Sequence, residues 1–336
     1  MAGPVVAAAP SLIMSSGMNQ INACCAECGK EGGASLMACK YCMQVKYCNA
    51  ECQRNHWPMH NIPCRQRAAE LCEEALFKDP PPKEDCPICF LPMPHQLICC
   101  VSLPPATRLS VPIYDFATAN KGLAEKATEE YYSCCRKSIC KGCAYSNIKS
   151  GSKNKCPFCN SEQEGKTEEE RVQEMMRRVE ANDAASIFLL ACNYHHGYNS
   201  LQQDQTKAKE LYTRAADLGC SQAHCNLGNI YHKGGDLKKA KFHCEAAAMI
   251  GHNNVARNNL GVIEAESGNI ERAVKHWTIA ASAGDYQAMF TLLIALKKRD
   301  VSSESIDSTL VAYNNSCTEM RSEARDAYIQ FEIDRI

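Results

Sequence analysis

The cysteines of this chain are concentrated in one part of the sequence, and this constrains its fold more than any other feature. Nineteen of the 24 cysteines lie between Cys24 and Cys159 in a chain of 336 residues. Most of them occur in pairs that are separated by two or three residues. Such pairs bind metal ions in a reducing compartment, whereas in a small secreted protein they form disulfides. The compartment therefore decides which kind of cross-link holds this part of the chain together.

The N-terminal sequence indicates a reducing compartment, which favours metal binding over disulfides. The first charged residue is Glu27, so residues 1–23 lack the basic region of a secretory signal peptide and are predicted to be a flexible tail. No apolar run approaches the roughly 18–20 residues of a membrane-spanning helix. We therefore expect a cytoplasmic or nuclear protein with reduced cysteines and no membrane partner. The net charge of −1 also disfavours nucleic acid as a partner, because nucleic-acid binding requires an excess of basic residues.

The first cysteine cluster, residues 24–64, contains eight potential ligands in four pairs. Thiolates together with an imidazole favour zinc over magnesium or calcium, and eight ligands are enough for two tetrahedral sites. Because protein side chains would fill every position, these zinc ions are predicted to be structural rather than catalytic. The candidate ligands are Cys25, Cys28, Cys39, Cys42, Cys48, Cys52, His60 and Cys64.

This ligand spacing, with the dipeptides Tyr47-Cys48 and His56-Trp57 between the pairs, resembles the MYND-type zinc finger. The resemblance implies two interleaved sites, one formed by the first and third pairs and the other by the second and fourth. It also implies that Gln53 and Trp57 contribute to a groove for short proline-containing peptides. The alternative is that Trp57 only covers a very small core. In so short a segment, metal binding would supply most of the folding free energy.

Two helices are predicted around the end of this cluster. Pro58 is expected to end the first helix, because proline disfavours helical geometry at the residue before it. His56 is interpreted as a residue at that helix end rather than a ligand. The second helix is predicted over residues 65–78, where alanine, leucine and glutamate predominate. The prolines from Pro80 to Pro82 then form a stiff linker.

The second cysteine cluster resembles a RING finger, in which the first and third ligand pairs bind one zinc ion and the second and fourth pairs bind another. The first site would be complete, but Lys137 stands where the family has a histidine, and a protonated lysine cannot bind zinc. Cys134 is the obvious substitute ligand, with His95, Cys99 and Cys100 as other candidates. The predicted ligands are Cys86, Cys89, Cys134, Cys135, Cys140, Cys143, Cys156 and Cys159.

The RING resemblance also implies an activity. RING-type ubiquitin ligases bind a ubiquitin-loaded conjugating enzyme and position its thioester for attack, without covalent chemistry of their own. Ile88 and Pro157 would then be the apolar contacts to that enzyme. Asn160 departs from the arginine that active members often carry, and the connection from Cys89 to Cys135 is unusually long. The alternative is a zinc-stabilised spacer that binds no conjugating enzyme.

The C-terminal half repeats with a period of 32 or 33 residues. Gly219, Gly251 and Gly284 follow this period, as do Ala208, Ala240 and Ala273. A period in the low thirties with small residues at fixed places is typical of helix-pair solenoids. Alanines let helices approach closely, and the glycines are predicted to end helices. The repeated motifs resemble Sel1-like repeats, which are related to the tetratricopeptide repeat.

A solenoid of this kind has a concave face that usually binds a peptide or protein. Its histidines share no common ligand spacing, so we interpret them as surface or packing residues rather than metal ligands. They are His195, His196, His224, His232, His243 and His276.

The sequence therefore predicts a mixed fold in which two small zinc-stabilised modules precede an all-helical solenoid. The function that follows is an intracellular zinc-binding adaptor for protein contacts, and the alternative is a RING-type ubiquitin ligase whose other regions select substrate. A lysine methyltransferase with an inserted MYND finger is disfavoured, because the repeats leave no room for its β-rich catalytic domain. The predicted order is a tail (1–23), a MYND-type finger (24–64), a helix with a proline-rich linker (65–82), a RING-like module (83–163), a connecting helix (164–182) and Sel1-like repeats (183–334).

Overall fold

The chain forms two compact units, residues 1–80 and residues 81–336. A computed structural model describes residues 24–31, 36–78, 84–93, 129–132, 134–135, 137–151, 155–161, 167–251, 253–298 and 301–334. The predicted tail and the candidate ligands His95, Cys99 and Cys100 lie outside the described residues. None of the helices among the described residues is long and apolar enough to cross a membrane.

The first unit combines a short hairpin with a long helix. Strand β1 (Met37–Ala38) pairs antiparallel with β2 (Lys46–Tyr47), and helix α1 (Ala50–Phe77) follows. Asn49 caps this helix, since its side chain accepts a hydrogen bond from the backbone N–H of Cys52 at 2.9 Å.

Pro58 does not end the helix, so that prediction was wrong. Both Pro58 and Pro63 lie inside α1, which continues to Phe77. Proline removes a backbone donor and leaves a carbonyl in the preceding turn without its helical partner. The carbonyls that lose their helical donor in this way are those of Arg54 and Met59. The side-chain amide of Asn61 adds local hydrogen bonds beside Pro58, because its Nδ2 donates to the carbonyls of Trp57 at 3.3 Å and Pro58 at 2.9 Å.

The second unit contains a small β-hairpin that is followed directly by a helix. Strands β3 (Glu129–Tyr132) and β4 (Lys137–Cys140) pair antiparallel, and α2 (Lys141–Lys149) follows β4 directly. Among the described residues, the core here consists of candidate ligand cysteines together with Met93, Ile139 and Ala144, and Tyr132 and Phe158 pack against it partly buried.

The described residues of the second unit form ten further helices. The first, α3, begins with a capping box between Thr167 and Glu170, in which each side chain accepts from the other residue's backbone N–H. The helices are α3 (Glu168–Glu180), α4 (Ala184–His196), α5 (Gln205–Asp217), α6 (Ser221–Lys233), α7 (Leu237–Ile250), α8 (Asn254–Glu266), α9 (Ile270–Ser282), α10 (Tyr286–Lys298), α11 (Ser303–Glu319) and α12 (Glu323–Ile333).

The repeated small residues explain how these helices pack. A Cβ atom on Gly228 would lie 2.5 Å from the Sγ of Cys244, and one on Gly261 would lie 2.5 Å from the Cδ1 of Trp277. Each of these glycines therefore lets the first helix of a repeat approach a larger side chain on the second. Ala208, Ala240 and Ala273, at the predicted helix crossings, are fully buried. The 33-residue period thus records one packing contact made repeatedly along the array.

The predicted helix-ending glycines behave in two ways. Gly219 and Gly284 have φ values of 85° and 91°, the left-handed conformation that glycine adopts without strain. Gly251 instead has an extended backbone with a φ of −147°, so the second repeat ends differently.

Candidate metal centres

The structure brings the sixteen predicted ligands together in four groups of four. Within each group all ligand atoms lie within 4.8 Å of one another. The groups are Cys25, Cys28, Cys48 and Cys52 (site 1), Cys39, Cys42, His60 and Cys64 (site 2), Cys86, Cys89, Cys140 and Cys143 (site 3), and Cys134, Cys135, Cys156 and Cys159 (site 4).

Sites 1 and 2 are interleaved along the first unit. In site 1 the sulfur of Cys48 lies 3.7 Å from that of Cys28 and 3.5 Å from that of Cys52. In site 2 the sulfurs of Cys39 and Cys64 are 3.6 Å apart. Four thiolates around zinc, each with a bond of about 2.3 Å, would have sulfurs about 3.8 Å apart. The observed spacings therefore fit a tetrahedral zinc ion.

Helix α1 supplies both ligands of the fourth pair from one face. His60 and Cys64 are one turn apart and buried, and the Nε2 of His60 lies 3.4 Å from the Sγ of Cys42. His56 lies outside the group. Its Nδ1 is instead 2.9 Å from the hydroxyl of Tyr47, and its ring stacks on that of His60 with 5.5 Å between centroids. These contacts hold the imidazole of His60 in place.

Sites 3 and 4 are cross-braced in the second unit. In site 3 the Cys86 and Cys143 sulfurs are 3.8 Å apart, and the Cys89 and Cys140 sulfurs are 3.9 Å apart. In site 4 the sulfurs of Cys135 and Cys156 are 3.8 Å apart. The ligand pairs alternate between the two sites along the chain, and zinc thiolate geometry fits both.

The structure also places Cys134 beside the other three ligands of site 4. A backbone hydrogen bond from Cys135 N to the carbonyl of Tyr132, at 3.1 Å, forms the turn after β3. This turn allows the sulfurs of both neighbouring cysteines to face Cys156. Lys137 is not one of these four ligands, and its ammonium lies 4.6 Å from the ring centroid of Phe158.

One backbone conformation recurs at four of the five Cys-x2-Cys pairs, the exception being Cys140 and Cys143, where α2 contains the second cysteine. The residue after the second cysteine has a positive φ, between 53° and 70°, and its N–H donates to the carbonyl of the first cysteine at 2.8–3.0 Å. These residues are Gly29, Met43, Phe90 and Asn160. Asn160 suits this position because asparagine tolerates the left-handed region better than most residues. This backbone conformation explains why asparagine is suited to position 160, where active RING members often carry arginine.

The thiols of each group compete for ionisation. Hydrogen bonding with the Cys42 sulfur, opposed by burial, lowers the pKa of Cys39 to about 4, while the Cys39 thiolate raises the pKa of Cys42. In site 4 a hydrogen bond with Ser161 lowers the pKa of Cys159 to about 6, and Cys159 in turn raises that of Cys135 to about 12. Full ionisation therefore requires a nearby cation, so the donor sets fit a divalent metal such as zinc.

The other predicted contact residues differ in exposure. Trp57 is 36% exposed with its ring edge-on to His60, and Gln53 is half-buried one turn earlier on α1. Ile88 is 39% exposed in the turn of site 3, and Pro157 is half-buried in the turn of site 4. Phe90, which the sequence did not single out, is 76% exposed directly after Cys89.

The histidines of the solenoid form no ligand group of three or more within the described residues. His224 and His243 form one close pair, with their Nδ1 atoms 3.0 Å apart. Burial and the neighbouring His224 lower the pKa of His243 to about 4, so both rings pack as neutral side chains at pH 7.

Family models match four segments of this chain. The MYND finger model matches residues 25–64, the Sel1 repeat model matches residues 184–220 and 256–285, and a tetratricopeptide repeat model matches residues 221–250. The chain therefore contains a MYND zinc finger and Sel1/TPR repeats, as the motifs predicted. Two further cysteine groups between them could also hold zinc.

The similar curated proteins share only a short segment with this chain. N-lysine methyltransferase SMYD2-A of Danio rerio is 39% identical over 69 residues, which are 20% of this chain and 15% of that protein. N-lysine methyltransferase SMYD2 of Bos taurus is 54% identical over 35 residues, which are 10% of this chain and 7% of that protein. The chain thus spans less than a sixth of these relatives' length.

Two solved structures are similar to a larger share of the chain. A protective antigen of uropathogenic Escherichia coli with an SLR fold matches 56% of this chain and 43% of its own, with 17% identity and a TM-score of 0.38. A Sel1 repeat protein from Oxalobacter formigenes matches 55% of this chain and 74% of its own, with 20% identity and a TM-score of 0.38.

Proposed function

We propose that this protein is an intracellular adaptor in which four structural zinc ions shape two small modules, while the MYND finger and the repeat array bind protein partners. The observation that carries this proposal is that four protein ligands complete each candidate metal group. Zinc sites that keep no position for substrate or water are structural. MYND fingers and Sel1/TPR repeats typically mediate protein interactions, which supports the same function.

The zinc content is the first test. Native mass spectrometry of the full chain, purified under reducing conditions, should show four zinc ions per chain. Two zinc ions would leave only the MYND finger as a metal module. A chain that is folded without any zinc would contradict the proposal.

The partner-binding surface of the MYND finger is the second test. Gln53 and Trp57 are four residues apart on α1, so they share one helix face, whereas Asn55 points away from that face. We expect Trp57→Ala to abolish binding to an array of short proline-containing peptides and Asn55→Ala to leave it unchanged. Equal binding by the two variants would exclude this face as the peptide site.

Exposure of the site 3 turn supports a second candidate function. Ile88 and Phe90 present apolar side chains to solvent beside a cross-braced metal pair, where a ubiquitin-conjugating enzyme would bind a RING ligase. A ubiquitin-discharge assay with Ile88→Ala as control separates the candidates. The adaptor should leave the rate of discharge unchanged, whereas a ligase should accelerate it in a manner that depends on Ile88.

A further inference from the structure

The last helix of the chain, α12, packs directly against the helix that carries Cys143. At Gly142 a Cβ atom would lie 2.7 Å from the backbone N and Cα of Arg325. A contact this close tolerates only glycine on α2. Nearby, the ring of Tyr145 on α2 lies 5.0 Å from that of Phe331 and 5.8 Å from that of Tyr328. The two helices therefore form one packed interface within the second unit.

Arg325 extends from this interface into site 3. The side chain is 3% exposed, its Nε donates to the Sγ of Cys140 at 3.3 Å, and its Nη2 donates to the Sγ of Cys89 at 3.5 Å. These two sulfurs belong to the two different ligand pairs of site 3. The remaining donors bind the carbonyls of Leu91 at 3.2 Å, Pro92 at 2.8 Å and Met320 at 2.6 Å.

The charges explain why an arginine suits this position. Four thiolates around one zinc ion leave a net charge of about −2, and the guanidinium, which stays protonated in proteins, offsets part of it. Hydrogen bonds between a charged donor and an ionised acceptor are roughly twice as strong as neutral ones. If the metal leaves, no ion holds the two ligand pairs of site 3 together, and the buried guanidinium loses the fixed positions of the Cys89 and Cys140 sulfurs that it bridges. Burial of a charge without compensation is costly.

We propose that Arg325 completes site 3 from outside the cysteine-rich region, so that metal occupancy and docking of α12 stabilise each other. Zinc then holds the C-terminal end of the helical array against the RING-like module, and loss of zinc releases α12. Arg325 acts as a positioning residue, since it binds two ligands and not the metal. This inference rests on the proposed zinc binding, and it adds that zinc in site 3 stabilises the docking of α12 and that docked α12 stabilises zinc binding.

Zinc release from the full chain tests the first half of the proposal. Removal of a hydrogen-bond partner of a metal ligand typically weakens metal binding about 10- to 100-fold. We expect Arg325→Met to lose one zinc ion to a colorimetric chelator about 10- to 100-fold faster than the wild type. Arg321→Met is the matched control, because Arg321 lies two residues before α12, is half exposed and pairs with Asp326 at 3.2 Å. Identical release rates for the two variants would overturn the proposal.

Cysteine alkylation identifies which zinc ion leaves. In Arg325→Met, the four cysteines of site 3 should be alkylated faster by iodoacetamide, while those of sites 1 and 2 react at the wild-type rate. Gly142→Ala provides a second variant that keeps every ligand and Arg325 itself but displaces α12. It should accelerate alkylation of the same four cysteines. Uniform acceleration at all sites would indicate general unfolding and would contradict the specific coupling.

Hydrogen exchange tests the reciprocal half. Partial removal of zinc from the wild-type chain should abolish protection of residues 323–333 in parallel with loss of metal from site 3, whereas α8 and α9 should stay protected. Continued protection of α12 in chains that have lost that metal would overturn the coupling. If the wild-type chain bound no zinc at all, the proposed zinc binding itself would fail, and this outcome is distinct from zinc that is bound without coupling.

Discussion

Asp285 is a buried carboxyl group whose ionisation should destabilise the repeat array at neutral pH. It lies directly before α10 and is 1% exposed. Its Oδ1 accepts a hydrogen bond from the N–H of Ala288 at 2.8 Å, but Oδ2 has no hydrogen-bond partner among the described residues. Burial raises the pKa of Asp285 from 3.8 to about 6, although the N–H groups of Ala288 and Gln287 oppose the rise.

The direction of the pKa shift sets the direction of the pH dependence. Because the folded chain binds this proton more tightly than the unfolded chain does, the stabilising contribution of Asp285 is complete below about pH 4. It is lost as the pH rises through about 6. A shift of about 2 pKa units corresponds to a loss of about 3 kcal/mol in the free energy of unfolding, and about 2 kcal/mol of this falls between pH 4.5 and 7.5.

Asp285→Asn should remove this pH dependence, because an amide keeps the Oδ1 acceptor and does not ionise. Thermal unfolding of the full chain, followed by circular dichroism at 222 nm in excess zinc, measures the effect. Between pH 4.5 and 7.5, the Tm of the variant should rise relative to the wild type by about 4–8 °C, at 2–4 °C per kcal/mol for a unit of this size.

Two results would refute this reasoning about Asp285. A Tm difference between Asp285→Asn and the wild type that stays constant over this pH range would show that the buried carboxyl does not titrate there. Asp285→Ala is the matched control, since it also cannot ionise but loses the capping oxygen. It should follow the pH profile of the asparagine variant at a lower stability, by about 0.5–2 kcal/mol. If Asp285→Ala instead followed the pH profile of the wild type, the reasoning would also be refuted.

Three further predictions concern other parts of the chain. Gly261→Ala should lower the Tm measured by calorimetry, because overpacking against Trp277 costs about 1–3 kcal/mol and exceeds the gain of about 1 kcal/mol in helix propensity; an unchanged or higher Tm would contradict this. Glu264→Gln should destabilise the array at pH 7, since Glu264 is 1% exposed and binds Lys241 at 2.7 Å. Burial opposes the shift, but the hydrogen bond with Lys241 lowers the pKa of Glu264, so this carboxylate stabilises the fold above pH 4.5. The stability difference between the variant and the wild type, measured by urea unfolding, should therefore shrink below pH 4.5, and a difference that stays the same there would contradict the prediction. Cys48→Ser should unfold the first finger while the helical circular dichroism of the array remains, and loss of most of that signal would refute the independence of the two.

Short-range features of the metal centres could be predicted from the sequence. A Cys-x2-Cys pair forms its turn through a hydrogen bond within five residues, such as that from Phe90 N to Cys86 O at 2.8 Å. His60 and Cys64 meet because they lie one turn apart on α1. The repeat period could also be predicted from the sequence, because residues one period apart, such as Gly228 and Gly261, make equivalent contacts in the structure.

Other features depended on competition between local and tertiary effects. The local preference of Pro58 predicted a helix end, yet α1 continues past it and presents both His60 and Cys64 to site 2. Cys134 was the obvious fourth ligand in the sequence, but its role stayed open because neighbouring cysteines rarely both reach one ion and because His95, Cys99 and Cys100 were other candidates. The turn after β3 brings Cys134 to site 4.

The sequence by itself determined which residues could bind metal and where the helix pairs repeat, because both patterns arise from contacts between residues close in the chain or at a constant period. Only the tertiary structure decided that Arg325 reaches Cys140, 185 residues earlier, and that the carboxyl group of Asp285 is buried away from solvent. A single arginine in a helical sequence has no periodicity that reveals its partner. Its role follows from the close approach of α12 to Gly142, which depends on how all the intervening helices stack.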